Sequence, residues 1–560
     1  MTQTSDLTSQ VYIAIGGAEV QQEIVQQIIE VSVDQHAHLP GVVTIRLHDP
    51  GMKLLDGGPF DLTKEIEIKA ADALGKKVAL MKAEITALEP DFGEGMICEL
   101  TVRGYDKSHR LFREMVSKSH LNKKDSDLAL EVAQAAGLPA EVETTQTVYE
   151  HIFQHNQSNL AFLMQRAWRI GYECFVADGK LYFRKPPTGE SGLTVTWGSD
   201  LLSFRPRITL AEQVDEVVVK GWDAERQEPI VGISTNGRLY PKVEEAKDGA
   251  GWAKTFGKGR VVIVDQPVVS QAEADALAAA RLDEISGAYV EAEGVVFRRP
   301  DIHAGQVIKI EGLGKRFSGA YLVTTARHEF TPEGLKTYFA VRGTRTGLLA
   351  SSFAGAQPAP ERWPGAVIGI VTNTDDPKQW GRVKVKFPWM TDDAESAWAR
   401  VVGQGAGNEA GLFILPEVDD EVLVVFEHGD FDRPFVLGGL WNGRSLPPPE
   451  STQAASGEMP LVRTWHSRKG HRLVMYDDAK RKVEIVTTDG RSVTLDDADR
   501  SITLKTDGVE VKLEDSSLTV KSQADITIQA SANLKIEANG NLDIKASGTV
   551  NINGAMINLN

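Results

Sequence analysis

Three clusters and a pair of thiols in this 560-residue chain have the types and spacing to do chemistry. His36 and His38 stand two apart, which puts two imidazoles on one face of a strand, where they could share a metal ion. His466 and His471 flank Ser-Arg-Lys-Gly and could do the same. Asp419, Asp420 and Glu421 form a carboxylate cluster, the material of general acid–base work or of a divalent-cation site. Cys98 and Cys174 are the only thiols. Each group falls short of a site. His466 and His471 have no third ligand close by, and two histidines on one strand face, as at His36 and His38, are more often surface residues than ligands. The acidic run reads as a solvated turn leading into a strand. The cysteines are far apart and in no metal spacing. There is no nucleophile elbow, phosphate loop or HExxH. A glycosidase would need two carboxylates across a cleft, and no pair declares itself. The expectation is a non-enzyme without catalytic residues, metal or cofactor.

Composition narrows the classes further. A net charge of −17 argues against nonspecific nucleic-acid binding, which needs a basic surface. Two cysteines fit a reducing compartment without a disulfide framework. The start, MTQTSDLTSQ, has no basic n-region or apolar core, so we expect synthesis in the cytoplasm without a signal peptide. No stretch approaches the roughly twenty apolar residues of a membrane span.

With no chemistry to position, the elements themselves carry the message. From Ala524 to Ala555 the chain repeats every eight residues: ADITIQAS, ANLKIEAN, GNLDIKAS, GTVNINGA. The third and fifth places are large and apolar: Ile526 and Ile528, Leu534 and Ile536, Leu542 and Ile544, Val550 and Ile552. The seventh is small. Strand alternation puts these three places on one face and Thr527, Gln529, Lys535 and Glu537 on the other. Ser531–Ala532, Asn539–Gly540 and Ser547–Gly548 are small turn formers between repeats. Pairs at spacings of seven to ten extend the pattern upstream: Leu518 with Val520, Val511 with Leu513, Ile502 with Leu504, Val493 with Leu495, Val483 with Ile485. A short fixed period signals a β-solenoid or prism. A single-chain helix would have three or four coils and open edges that invite aggregation. An intertwined trimer pairs its strands between chains and stacks Ile, Leu and Val about a threefold axis. We expect the trimer. A run of hairpins would need two-residue turns of the Asn-Gly kind, which Asn539–Gly540 supplies and Ser531–Ala532 does not.

Upstream, residues 1 to about 345 read as mixed β. Candidate strands are Val11–Ile15, Val42–Leu47, Glu65–Lys69, Ile97–Val102, Val217–Lys220, Val261–Val264 and Tyr338–Arg342. A helix capped by Ser158 ends at Gly171 and leads into a hairpin, Glu173–Ala177 and Leu181–Arg184, turning at Asp178–Gly179. A capping box, Ser270 to Glu273, opens a second helix running to about Ser286. Two proline-rich linkers, residues 351–365 and 446–465, bracket a compact module at 366–445. Its candidate strands are Val367–Val371, Gly381–Val385, Ala397–Val402, Leu412–Leu415, Glu421–Phe426 and Phe435–Leu440, which suggests a small barrel of the OB type.

GIVTNTDDPKQWGRVKVKFPW followed by LFILPEVDDEVLVVFEHGDFDRPFVLGGLWNG closely resembles the VgrG spike family of contractile injection systems. HNQSNLAFLMQRAWRIGYECFVADGKLYFRK looks like the phage-tail-like hub of that family, and the octads look like its trimeric β-helix. Together with RTWHSRKGHRL, the compact length resembles the extracellular, phage-tail-like subtype. The resemblance implies a mainly β chain: a hub-like region at 1–350 with two barrel domains and helical insertions, an OB-fold module, and a triple-stranded β-helix needle at 466–560. It implies a homotrimeric central spike that joins a sixfold tube and baseplate to a membrane-puncturing tip and helps carry effector cargo. The needle core would be the eight octad residues named above. The contracted end, with Ile557, Leu559 and Asn560, would contact a separate cone-shaped tip protein similar to the PAAR-repeat family. Contact with the target membrane would be transient. The alternative is a trimeric receptor-binding tailspike or polysaccharide depolymerase, whose β part is long and central rather than thin and terminal. Two places where relatives carry an enzyme are expected to be empty: only about twenty linker residues precede the needle, and five follow the last octad.

Overall fold

The computed structural model describes residues 10–95, 97–188, 192–238, 242–243, 247–343, 363–390, 395–451 and 461–559. Most of the first proline-rich linker (351–362) and the centre of the second (452–460) therefore lie outside the described residues, as does Asn560. The chain divides into two compact units, Met1–Leu440 and Trp441–Asn560.

The first unit is organised by one long sheet. Its first half uses β1 (Val11–Ile15), β2 (Ile28–His36), β3 (Val42–His48), β4 (Glu65–Ala71), β5 (Lys77–Gly93) and β6 (Ile97–Tyr105). Apolar residues alternate along these strands, so Ile13, Ile45, Leu47, Ile66, Ile68 and Leu100 meet in one core. An insertion follows: β7 (Met115–Lys123) pairs with β8 (Tyr149–Ser158), which runs into α1 (Asn159–Arg169) and the hairpin β9 (Glu173–Ala177) and β10 (Lys180–Arg184). The Ser158 hydroxyl accepts from the Ala161 N–H at 3.3 Å, the expected cap. Gly171, just past the helix, takes the left-handed conformation that stops it (φ +70°).

The second half uses β11 (Leu201–Ile208), β12 (Glu216–Asp223), β13 (Glu228–Ser234), α2 (Gln271–Gly287), β14 (Val290–Phe297), β15 (Thr325–Thr331) and β16 (Gly334–Val341). Strands β12 and β13 lie against α2, with Val217, Val219, Leu277 and Leu282 between them. The other four join the first half edge to edge, in the order β11-β14-β16-β15-β2-β3-β6-β5-β4-β1 with the two-residue strand Ala18–Glu19 at the end. The seam is β15 beside β2, with Phe330 opposite Val31 and Thr325 opposite His36. Residues 1–345, read as two similar barrels, share one eleven-stranded sheet, with one core against its first half and another against its second. At the start of α2 the Ser270 hydroxyl accepts from the Glu273 N–H at 3.2 Å, half of the expected capping box. The Glu273 carboxylate accepts instead from the Val269 N–H at 3.0 Å and from Arg169.

The compact module is a closed five-stranded barrel. It comprises β17 (Val367–Asn373), β18 (Arg382–Lys386), β19 (Ala399–Val401), β20 (Glu421–Phe426) and β21 (Pro434–Gly439), closing in the order β17-β18-β19-β21-β20. Val371, Val383, Val385, Val422, Val424 and Val436 fill it. The sixth candidate strand, Leu412–Leu415, is not a strand. The chain from Gly403 to Leu412 folds back on itself, with the Leu412 N–H donating to the Gln404 carbonyl at 2.9 Å, and so forms an arm outside the barrel.

The second unit carries seven strands: β22 (Val462–His466), β23 (Arg472–Tyr476), β24 (Lys482–Val486), β25 (Ser492–Asp496), β26 (Ser501–Lys505), β27 (Val509–Glu514) and β28 (Ser517–Ser522). Each pairs antiparallel with the next, a meander built within one chain. This differs from one uniform intertwined element over 466–560. The seven-to-ten spacing is the reason, because it leaves room for turns of several residues such as Thr487–Arg491. After Ser522 the described chain makes no ladder. Its bends fall at Ser531–Ala532, Asn539–Gly540 and Ser547–Gly548, the turn positions of the octads.

Candidate functional site

The residues first singled out for chemistry do not converge. The His38 N–H donates to His36 Nδ1 at 3.0 Å, and burial pushes the His38 pKa down to about 3, helped by the nearby His36. Asp419 sits in a left-handed turn, and the Asp420 carboxylate accepts from the Glu417 N–H at 2.8 Å. His466 lies at the end of β22, and His471 Nδ1 accepts from the Thr488 N–H at 3.2 Å. Cys98 and Cys174 are buried free thiols whose pKa values burial raises. Among the described residues no three His, Cys, Asp or Glu side chains gather as a metal site would require.

Sequence reasoning missed a joint between the barrel and the insertion. The loop after β20 carries Asp430, Phe431, Asp432 and Arg433. Asp432 accepts from the Phe153 N–H of β8 at 2.7 Å and faces His151 Nδ1 at 3.2 Å. Phe431 stacks on His155 with ring centres 4.1 Å apart, and Trp363 closes against both. Glu273, at the start of α2, takes Arg169 of α1 at 2.7 Å and Arg433 of the barrel at 3.7 Å. Burial alone would raise the Glu273 pKa; the two guanidinium groups hold it below the usual value. Arg166 pairs with Asp125 at 2.6 Å beside them. A cavity of about 510 Å³ lies within this joint, lined by Arg166, Arg169, Trp168, Trp398, Phe431 and Arg433. The sequence offered one clue: Arg166 shares its helix face with buried Leu163 and Ala167.

The apolar pairs that extend the octads upstream do meet. Pairing across the meander makes two continuous rows. One runs Trp465, Leu473, Ile485, Val493, Leu504, Val511, Val520. The other runs Met475, Val483, Leu495, Ile502, Leu513, Leu518. The opposite face presents Glu484, Thr494, Thr503, Lys512 and Thr519. In the single chain the apolar face is open to water: Ile485, Leu495, Ile502, Leu504, Leu513, Leu518 and Val520 are all exposed. So are the octad residues Ile526, Ile528, Leu534, Ile536, Leu542, Ile544, Val550 and Ile552, with Ile528 at 70%. Toward the end, Ile557 and Leu559 are exposed as well. An apolar surface this continuous marks an interface.

Comparison with known proteins adds the following. The family model described as the Alg8 N-terminal domain matches residues 5–332, and that of the Type VI secretion system/phage-baseplate injector OB domain matches residues 367–441. The chain is 38% identical over 74 residues to the type VI secretion system spike protein VgrG2a of Pseudomonas aeruginosa, covering 12% of this chain and 9% of that protein. It is 28% identical over 140 residues to the actin cross-linking toxin VgrG1 of Vibrio cholerae, covering 24% and 13%. The matches thus span a small part of these relatives' length. A chain of the half-lidded Francisella PdpA–VgrG complex shares the fold, with a TM-score of 0.50 at 9% identity over 92% of this chain and 88% of that one.

Proposed function

The chain belongs to the Alg8 N-terminal domain family and carries an injector OB domain, and from that premise we propose that it is a VgrG-type spike protein and works as the homotrimeric central spike of a contractile injection machine. The observation that carries this reading is the pair of apolar rows left open along the meander and continued by the octads. Burying a Leu, Ile or Val contributes about 1.5–3 kcal/mol, and many are exposed here on one face. Three chains that turn these faces inward dry them together and give the octad backbone partners it lacks among the described residues of its own chain.

The domains divide the labour. Residues 1–350 form the hub that meets baseplate and inner-tube proteins. Residues 366–445 form the OB module. Residues 466–560 form the needle. Mechanical work needs no turnover, so the spike is not an enzyme. We place it in an assembled particle of the extracellular, phage-tail-like kind, made in the cytoplasm and released or delivered to a target cell with effector cargo. Ile557, Leu559 and Asn560 contact a PAAR-like tip protein.

Light scattering on the full chain tests the reading: the expected mass is three times that of one chain, and a stable monomer at micromolar concentration refutes it. Ile528→Asp brings three charges to a dry axis and should abolish the trimer or its heat resistance, whereas Thr527→Asp on the wet face should be near neutral. Equal sensitivity of the two faces would refute the assigned parity. Deleting residues 555–560 should release the tip protein and leave the trimer intact; a tip retained by the truncated trimer excludes this contact.

A further inference from the structure

The cavity of about 510 Å³ in the joint has features that holding the joint together does not call for. Its floor is the charged cluster of Arg166, Arg169, Glu273 and Arg433. Its rim is aromatic. Trp222, on β12, is 52% exposed, and Trp380, just before β18, is 42% exposed. Lys378 of the barrel reaches Glu225, just past β12, at 2.6 Å, so one ion pair ties the two walls that carry these rings. Lys378 and Arg382 lie over the Trp380 ring, at 5.0 and 5.2 Å, whereas among the described residues no cation or ring lies over Trp222.

Every charge at the floor has its opposite within reach. Arg166 has Asp125, Arg169 and Arg433 share Glu273, and Asp432 has His151. Asp430 lies close to both Arg169 and Arg433, and burial first and Asp432 second raise its pKa. This balance selects the ligand. An anion would meet Glu273 and Asp430, and a cation would meet three guanidinium groups. A purely apolar body would strip water from all of them and return nothing. A hydroxyl accepts from a guanidinium and donates to a carboxylate at once. A ring with hydroxyls along its edge and C–H groups on its face satisfies the floor with the first and Trp222 with the second. The volume also falls within the range of small-molecule sites, about 300–1,000 Å³.

We propose that this cleft binds a neutral saccharide, its hydroxyls on the charged floor and its apolar face against Trp222. The site lies wholly within the first compact unit, so it stands independently of the trimer reading.

The experiment applies the full chain to an array of immobilised glycans: neutral oligosaccharides of hexose and N-acetylhexosamine beside sialylated and phosphorylated ones. Calorimetry then measures the free trisaccharide of whichever glycan is retained. Neutral glycans should be retained. Trp222→Ala should weaken binding about tenfold, and Trp222→Phe, which keeps a ring, by no more than about threefold. Trp222 is half exposed, so both variants should keep the melting temperature of the parent. Retention of no glycan, or of the charged ones alone, overturns the proposal. So does binding that Trp222→Ala leaves unchanged, which places the sugar elsewhere on the chain. A free trisaccharide that gives no heat assigns the retention to the array surface and overturns it as well.

Discussion

At the scale of single residues, the first unit stores sensitivity to acid. His328 on β15 is buried, with Nδ1 2.9 Å from the Thr337 hydroxyl, which itself donates to the Arg299 carbonyl at 3.1 Å. His303 lies beside it with ring centres 5.8 Å apart, and Asp301 nearby is engaged by Arg299 at 2.8 Å. Burial first, and His303 second, push the His328 pKa down to about 3; burial does the same for His38. Both are neutral in the fold and titrate near 6.5 when unfolded. Their stabilising contribution is thus complete above about pH 6.5 and falls as pH drops toward about 3, by up to about 1.4 kcal/mol per unit for each group. Melting temperatures should decline steadily from pH 7 to pH 4. His328→Gln, which cannot charge, should flatten part of that decline; an unchanged slope would reject the assignment.

At the scale of elements, the joint between α1, α2 and the barrel depends on one carboxylate shared by two arginines. Glu273→Gln removes the carboxylate that buried Arg169 and Arg433 both reach, so it should cost about 3 kcal/mol in chemical denaturation. Protease should then cut first in the loop of Asp430–Arg433; an unchanged midpoint would mean that the aromatic stack holds the joint alone. None of this was legible in advance, because Arg169, Glu273 and Arg433 come from positions more than a hundred residues apart and only folding brings them together. Elements with a local signature were legible. Val11–Ile15 alternates cleanly, Glu173–Ala177 is a short apolar run before the Asp178–Gly179 turn, both fold as read, and the Ser158 cap lies where its hydroxyl can meet a free N–H. Leu412–Leu415 misled because apolar composition was taken for burial, when the segment is an arm on the surface. The meander was hidden by the octads beyond it: its apolar pairs were seen, but not that irregular spacing lets strands turn back and pair within one chain.

At the scale of the whole molecule, the sheet of the hub and the meander behave differently at their margins. The outer strand of the hub sheet, β11, carries Arg205, Pro206 and Arg207, which discourage another strand from adding. The outer strand of the meander, β28, has no proline and a single basic residue, Lys521, and leads straight into the octads. The octads alone cannot tell which repeat is which: slide one chain by eight residues and every Ile and Leu finds an equivalent place, at the loss of one repeat of contact. The meander has no such freedom, since its apolar pairs recur at unequal intervals. In the trimer proposed above, three meanders fit together in one alignment and hand it on, as the fixed end of a zip fastener sets its teeth. An extra repeat downstream should therefore cost nothing: duplicating Ala532–Asn539 is expected to leave assembly and melting temperature unchanged and lengthen the needle by one repeat in electron micrographs. Staggered or frayed ends in that variant would mean that the octads keep their own count.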